Sequence, residues 1–300
     1  MNNILVLMST YNGEKYIREQ LDCILNQEGV FVNLLIRDDG STDKTLNILK
    51  EYSEIHENIN VYYGNNKGFT FSFYDLLSTA NGYKYYALAD QDDIWEKNKL
   101  STAILKMGQT HIMYASNMKI VDQDLNFINT LYKDFEYENQ LLKCFFSFYN
   151  PFGCTLVWKN ELQEKVKSNL PKIRIPHDLW MHVSANFNGS VYIDENSYIL
   201  HRIHGENACG IGKSTLIRLK KLKKFYLSDF RTTTDDTLEE AIRAYKFGKL
   251  NKNQIEFINI ILNYKKSFGG KLSLLKCKEL KKIKYKKRME FIFLILLNKF

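Results

Sequence analysis

Proline is almost missing from this chain, with 3 residues in 300. A hydrophobic fraction of 45% stands beside that scarcity. The two together exclude a mainly disordered protein, whose composition leaves too little apolar surface to offset the entropy of folding. Cysteine is sparse and scattered: Cys23, Cys144, Cys154, Cys209 and Cys277 show no Cys-x-x-Cys spacing. An odd number of distant thiols argues against a disulfide framework and a zinc site, and predicts reduced, mostly buried side chains. Long hydrophobic runs are missing too. The terminal run "FIFLILL" (Phe291–Leu297) falls far short of the ~20 apolar residues that cross a bilayer. Near the start, "ILVLM" (Ile4–Met8) has no basic flank and no cleavage site, so the expectation is a cytoplasmic chain. No internal repeat or low-complexity tract is present.

Acidic residues are what the C-terminal part lacks. Residues 1–210 hold 19 Lys+Arg against 26 Asp+Glu, whereas residues 211–300 hold 23 against 8. The net charge of +8 therefore joins a net of −7 to a net of +15, with the change near Gly210. That asymmetry predicts two regions, 1–210 and a basic helical 211–300.

Hydrophobic periodicity orders the first hundred residues. "NILVLM", "FVNLLIRDDG", "INVYYG" and "KYYALAD" read as strands. Between them lie three helical patterns, the first with Ile17, Leu21, Ile24 and Leu25 on one face. Asn12 is a candidate N-cap for the first helix, and Ser41 or Thr42 for the second. Strands separated by helices predict an α/β fold with a mostly parallel sheet. Beyond Thr110 the pattern is mixed: "HIMYASNMKIVDQ" suggests a strand with a hairpin return, "GCTLVWK" a strand, "HDLWMHVSANF" a helix after Pro176, and "SYILHRIHGEN" a strand entering a loop.

In open α/β sheets ligands sit at the carboxyl ends of the strands, and the polar clusters fall there. Ser9, Thr10, Tyr11 and Asn12 follow the first strand, Asp38, Asp39 and Gly40 the second, Asn65–Gly68 the third, and Asp90–Asp93 the fourth. Asp90 and Asp92, two apart where the chain leaves the core, can both reach one hard cation such as Mg²⁺ or Mn²⁺. An Asp-x-Asp pair on its own is more often a turn or a cap.

Taken in order, "STYNGEKYI", "RDDGSTDKT", "NNKGF" and "ADQDDIW" resemble the nucleotide-binding half of family 2 glycosyltransferases with the GT-A fold. "DQDDIW" with "HDLW" and "HRIHGEN" resembles the bacterial rhamnosyltransferase-like subgroup. The resemblance covers roughly residues 3–208 and implies a GT-A fold: a Rossmann-like, mostly parallel mixed sheet flanked by helices, here with a basic helical extension. It also implies an inverting transfer from a nucleotide-sugar, dTDP-rhamnose favoured and a UDP-sugar possible, to a saccharide acceptor. By this resemblance Ser9, Thr10, Tyr11 and Asp39 hold the nucleoside, with Asp39 on the base and Asp38 shaping the turn. Lys67 and Arg202 assist the nucleotide and its diphosphate. Asp92 and His204 hold a divalent cation, Asp90 binds the donor's ribose or reaches the cation through water, and Asp178 in "PHDLW" is the general base. Asp93, Trp95, Gly153, Cys154, His177 and Trp180 border the sugar and acceptor. His177 departs from the Glu more usual in the family before the base.

The basic segments "LIRLKKLKKFYL" and "KCKELKKIKYKKRMEFIFLILL" are amphipathic and Lys-rich, as suits an anionic membrane surface. A solvated face on helices packed against the catalytic domain is the alternative, and membrane association is favoured over it. The expectation is a peripheral enzyme on the inner face of the cell membrane, acting on a lipid-linked acceptor. A nucleic-acid module is disfavoured, since no RNA- or DNA-binding motif accompanies the charge. A sugar-1-phosphate nucleotidyltransferase is disfavoured because "STYNGE" carries one Gly where a Gly-rich loop is required. A catalytically dead relative is disfavoured by the intact Asp92 and Asp178.

Overall fold

The structure, a computed structural model, describes residues 1–131, 152–204, 234–281 and 285–298. These group into two compact units: 1–131, 152–170 and 189–204 in the first, and 171–188, 234–281 and 285–298 in the second. The charge pattern divides the chain once, near residue 210. The structure in addition places 171–188 with the C-terminal helices.

In the first unit, β1 (Asn2–Thr10), β2 (Val30–Asp38), β3 (Ile59–Tyr63) and β4 (Tyr85–Ala89) form a parallel sheet in the order β3-β2-β1-β4. Helices α1 (Ile17–Leu25), α2 (Thr45–Ile55) and α3 (Phe69–Thr79) connect them. Residues 4–8 and 85–89 are buried without a break, as central parallel strands require when helices cover both faces. Ile17, Leu21 and Ile24 of α1, all 0% exposed, join Ile4, Val6, Met8, Leu34 and Ile36 in one core cluster. A Leu21→Ala truncation there is expected to cost about 2–5 kcal/mol.

The sheet then becomes mixed. After β5 (Ile94–Trp95) and α4 (Lys99–Met107) come the hairpin β6 (Met113–Val121) and β7 (Phe127–Thr130), then β8 (Leu156–Lys159), α5 (Asn160–Lys167) and β9 (Val191–Arg202). β8 runs antiparallel between β4 and β6, β9 lies parallel to β6, and β5 pairs antiparallel with the outer side of β9. The two-residue β5 has no signal in the sequence pattern, being too short to show alternation. Its effect is to fold the chain after Asp93 back along Ile199 and Leu200.

Two expected caps are corrected. Asn12 sits at φ +48, outside α1, and its Oδ1 accepts from Thr42 N at 2.8 Å, tying the first loop to the second. Neither Ser41 nor Thr42 caps α2. Asp43 Oδ1 accepts from Thr45 N instead, at 2.9 Å.

The second unit comprises α6 (His177–Asn188), α7 (Thr234–Tyr245), α8 (Lys252–Asn263), α9 (Phe268–Lys276), α10 (Lys278–Lys281) and α11 (Tyr285–Leu296). Trp180 stacks on Tyr245 with ring centroids 5.8 Å apart, and Tyr245 Oη donates to Ser184 Oγ at 2.9 Å, joining α6 to α7. Gly248, at φ +47, lets the turn after α7 press on α6: a Cβ there would lie 2.0 Å from the Phe187 carbonyl oxygen. Among the described residues no helix is long and apolar enough to cross a membrane. The basic segment Leu216–Leu227 lies outside the described residues.

Candidate active site

The loops at the carboxyl ends of the parallel strands are laced together by their own polar groups. Asp38, 1% exposed at the end of β2, is the hub. Its Oδ2 accepts from Thr10 Oγ1 (2.8 Å) and Ser41 Oγ (2.6 Å), and its Oδ1 from Ser41 N (2.8 Å) and Gly40 N (3.1 Å). Every oxygen of Asp38 is thus spent on the turn, and so is the Thr10 hydroxyl. Ser9 Oγ donates to Ser72 Oγ of α3 at 2.6 Å, whereas Tyr11 stands 47% exposed at the rim.

Asp39 is gripped from the other side. Arg37 Nη1 donates to its Oδ1, and the backbone N–H groups of Lys67 and Gly68 reach its two oxygens at 2.9 Å each. Arg37, 1% exposed, also bonds Ser72 Oγ, the Asn65 carbonyl and Asp75. Lys67 Nζ reaches the same Asp75 oxygen at 2.6 Å. Arg37 escaped the sequence reading. Its signal was a lone cation near the end of the strand "VFVNLLIRD", whose last three residues are all buried.

Gln91, between the two Asp residues, was missed as well. Its side chain forms a reciprocal pair with the Tyr11 backbone, accepting from Tyr11 N at 2.9 Å and donating to Tyr11 O at 3.0 Å. The loop after β1 is thereby fastened to the loop after β4. Gly13 makes room for it, since a Cβ at that position would lie 2.4 Å from Gln91 Oε1.

The acidic cluster after β4 separates into two layers. In the outer layer, Asp92 Oδ2 and His204 Nε2 lie 2.7 Å apart, with side chains 11% and 10% exposed. In the inner layer, Asp93 pairs with His201 Nδ1 at 2.8 Å, with side chains 0% and 5% exposed. Asp90, Asp93, Cys154 and His201 bring ligand atoms within 4.8 Å of one another, so the described residues include a group able to hold a metal ion. Burial, and then the charges of Asp93 and Asp92, lift the Asp90 carboxyl to about 7. Burial alone would lower the His201 imidazole, but the charge and hydrogen bond of Asp93, with help from Asp90 and Asp92, raise it to about 9. Burial likewise pushes the Cys154 thiol well up, and Lys99, fully inside with its Nζ 3.6 Å from the Trp95 ring centroid, down to about 7.

Several expected site residues are held by other parts of the protein. Arg202 is 3% exposed and its N–H groups go to the Asp92 and Gln123 carbonyls and to Glu19, so it braces the loop after β4 from behind. Trp95 and Cys154 belong to the core cluster, and Gly153 is buried in the short 3₁₀ turn before β8, so these three back the site instead of lining an open pocket. Asp93 pairs with His201 through Oδ1, and its Oδ2 is buried without a hydrogen bond. Trp180 is 0% exposed in the core of the second unit. In that unit Asp178 lies in the first turn of α6, half-buried, with Oδ1 accepting from Leu179 N at 2.8 Å. Burial raises its carboxyl to about 6 and lowers the neighbouring His177 to about 3.

A Rossmann-like sheet with a carboxyl-end rim that ends in Asp-x-Asp-Asp is the arrangement of GT-A glycosyltransferases, and solved structures of that kind match it. Staphylococcus aureus TarS (residues 1–349, in complex with UDP-GlcNAc) aligns with a TM-score of 0.60 at 19% identity, over 97% of this chain and 79% of that one. The mannosyltransferase PcManGT of Pyrobaculum calidifontis, in complex with GDP-Man and Mn²⁺, aligns at 0.54 and 14%, over 99% and 80%. The model of glycosyl transferase family 2 matches residues 5–164, and the chain belongs to that family. Among curated relatives, the dTDP-rhamnosyl transferase RfbG of Shigella flexneri is 30% identical over 289 residues, covering 85% of this chain and 98% of the relative. The protein is a glycosyltransferase.

Proposed function

We propose that this enzyme performs an inverting transfer of a hexose, rhamnose favoured, from a nucleoside diphosphate to a saccharide hydroxyl in bacterial cell-surface or capsular polysaccharide synthesis. The observation that carries the reading is the rim itself, where the exits of β1, β2, β3, β4 and β9 are joined by side-chain hydrogen bonds into one continuous edge. The dTDP-rhamnosyl relative favours a dTDP donor. A UDP-sugar, and galactosyl or glucosyl transfer, are the alternatives.

Nucleoside binding is assigned to the Ser9–Tyr11 loop, Asp39 and Lys67. The Asp92 and His204 donors suit Mn²⁺ or Mg²⁺, with Asp90 behind them, because carboxylate oxygen and imidazole are ligands a hard or borderline cation accepts. The inner layer suits such an ion less well, because its Cys154 is held as a neutral thiol. When bound, the cation neutralises charge on the departing diphosphate. Asp178 takes the proton from the acceptor hydroxyl as that oxygen attacks the anomeric carbon. The new glycosidic bond forms on the face opposite the breaking bond to phosphate, so the configuration inverts. A base held at about 6 is ionised near neutral pH yet still basic enough to help, an effect of about 10²–10⁴-fold.

The test is single-turnover transfer from dTDP-rhamnose with Mn²⁺. Asp178→Asn should keep nucleotide binding and lose transfer by at least two orders of magnitude. Transfer at the wild-type rate would remove Asp178 from the mechanism.

A further inference from the structure

The last helices expose more apolar surface than their own packing uses. On α11, Phe291, Leu294 and Ile295 are buried at 4%, 2% and 0% exposure, the ordinary core face of an amphipathic helix. The opposite face is apolar as well: Met289 (46%), Phe293 (58%), Leu296 (51%) and Leu297 (50%) point outward. Their spacing of i, i+4, i+7 and i+8 makes one stripe. On α9, Phe268 (79%) and Leu272 (40%) form a second stripe. Lys271, beside Leu272, donates through Nζ to the Leu296 carbonyl at 3.1 Å, so the two stripes adjoin. An exposed apolar patch of this kind marks a surface that is covered in use.

Charge identifies the cover. Lys276 and Lys281 are exposed on α9 and α10, and Lys265 and Lys266 are exposed in the turn that leads into α9. In sequence, six of the eight residues 281–288, "KKIKYKKR", are Lys or Arg. A hydrophobic stripe bordered by cations matches an anionic bilayer surface, where apolar side chains enter the headgroup boundary and lysines meet lipid phosphates. At 12 residues, α11 spans about 18 Å against a hydrocarbon core of about 30 Å, so it lies in the interface and does not cross.

We propose that the α9–α11 face docks on an anionic membrane, inserting Phe268, Leu272, Phe293, Leu296 and Leu297. The purpose of this docking rests on the reading of a lipid-linked acceptor, but its test does not require turnover. The full-length protein is floated with vesicles of phosphatidylcholine alone and of phosphatidylcholine with phosphatidylglycerol. Binding should be at least tenfold tighter to the anionic vesicles and weaken with salt. The triple variant Phe293→Ser, Leu296→Ser, Leu297→Ser should lose at least tenfold in vesicle affinity, with an unchanged melting temperature and unchanged transfer to a soluble acceptor. These side chains are half exposed, so folding is not at stake. No flotation with anionic vesicles, equal flotation with neutral ones, or undiminished binding by the triple variant each overturns the proposal. A dimer in light scattering that the triple variant dissolves would give the face to a second copy and overturn it too. Vesicle binding without sugar transfer would sink the activity reading and leave the docking standing.

Discussion

Gln91 offers the sharpest test of the rim. Its amide makes two hydrogen bonds to the Tyr11 backbone, at 2.9 and 3.0 Å, in a site open to solvent. A net contribution of about 0.5–1.5 kcal/mol each, nearer the lower end for exposed bonds, gives about 1–2 kcal/mol holding the two loops together. Gln91→Ala removes both bonds and touches neither Asp90 nor Asp92. If the loop after β1 must be fastened for the nucleoside to bind, affinity falls with the competent fraction, by at most about 5–30-fold. The assay is calorimetric titration of dTDP with and without Mn²⁺. The loss should be larger with the metal, because Gln91 links the nucleoside loop to the loop that carries the metal ligands. Gln91→Glu keeps the acceptor for Tyr11 N but sets a carboxylate oxygen against Tyr11 O, so it should not restore binding. Wild-type affinity in Gln91→Ala under both conditions would refute the coupling. An equal loss with and without metal would reduce Gln91 to a local brace.

Other tests address the site by layer. Asp92→Ala or His204→Ala should abolish the strengthening of nucleotide binding by Mn²⁺ in the same titration; retained strengthening would move the metal to the inner cluster. Asp93→Ala leaves the His201 imidazolium buried without its partner, at a cost of about 3–5 kcal/mol. That is a drop in melting temperature on the order of 10 °C, and a shift under 2 °C would contradict a charged pair. The Asp178 carboxyl, raised to about 6, accepts a proton only when ionised. Transfer should therefore rise about tenfold per pH unit below 6 and level off above it, while Asp178→Asn shows no such slope.

The strand–helix alternation, the carboxyl-end clusters and the Asp-x-Asp motif were legible because they are local. Period, turn chemistry and short spacing are properties of neighbouring residues. The roles of individual side chains were less legible. Asp38 and Asp39 are adjacent and alike in sequence, yet the first is used up by Thr10 and Ser41 and the second held by Arg37, Lys67 and Gly68. Asp92 and Asp93 likewise part company, one toward His204 and one toward His201. Arg202, second in the polar motif "HRIHGEN", looks like an anion binder until its protein acceptors are in view.

By itself the sequence determined an α/β sheet with a polar carboxyl-end rim, since both follow from residue type and periodicity along the chain, and its motifs resemble family 2 glycosyltransferases. Only the tertiary structure decided which polar groups remain for ligands. Distant residues bond several of them, as Glu19 does Arg202 and Gln91 the Tyr11 backbone. It decided as well that the outward stripe of α11 stays exposed, because which of two apolar faces of a helix is buried depends on what packs against it.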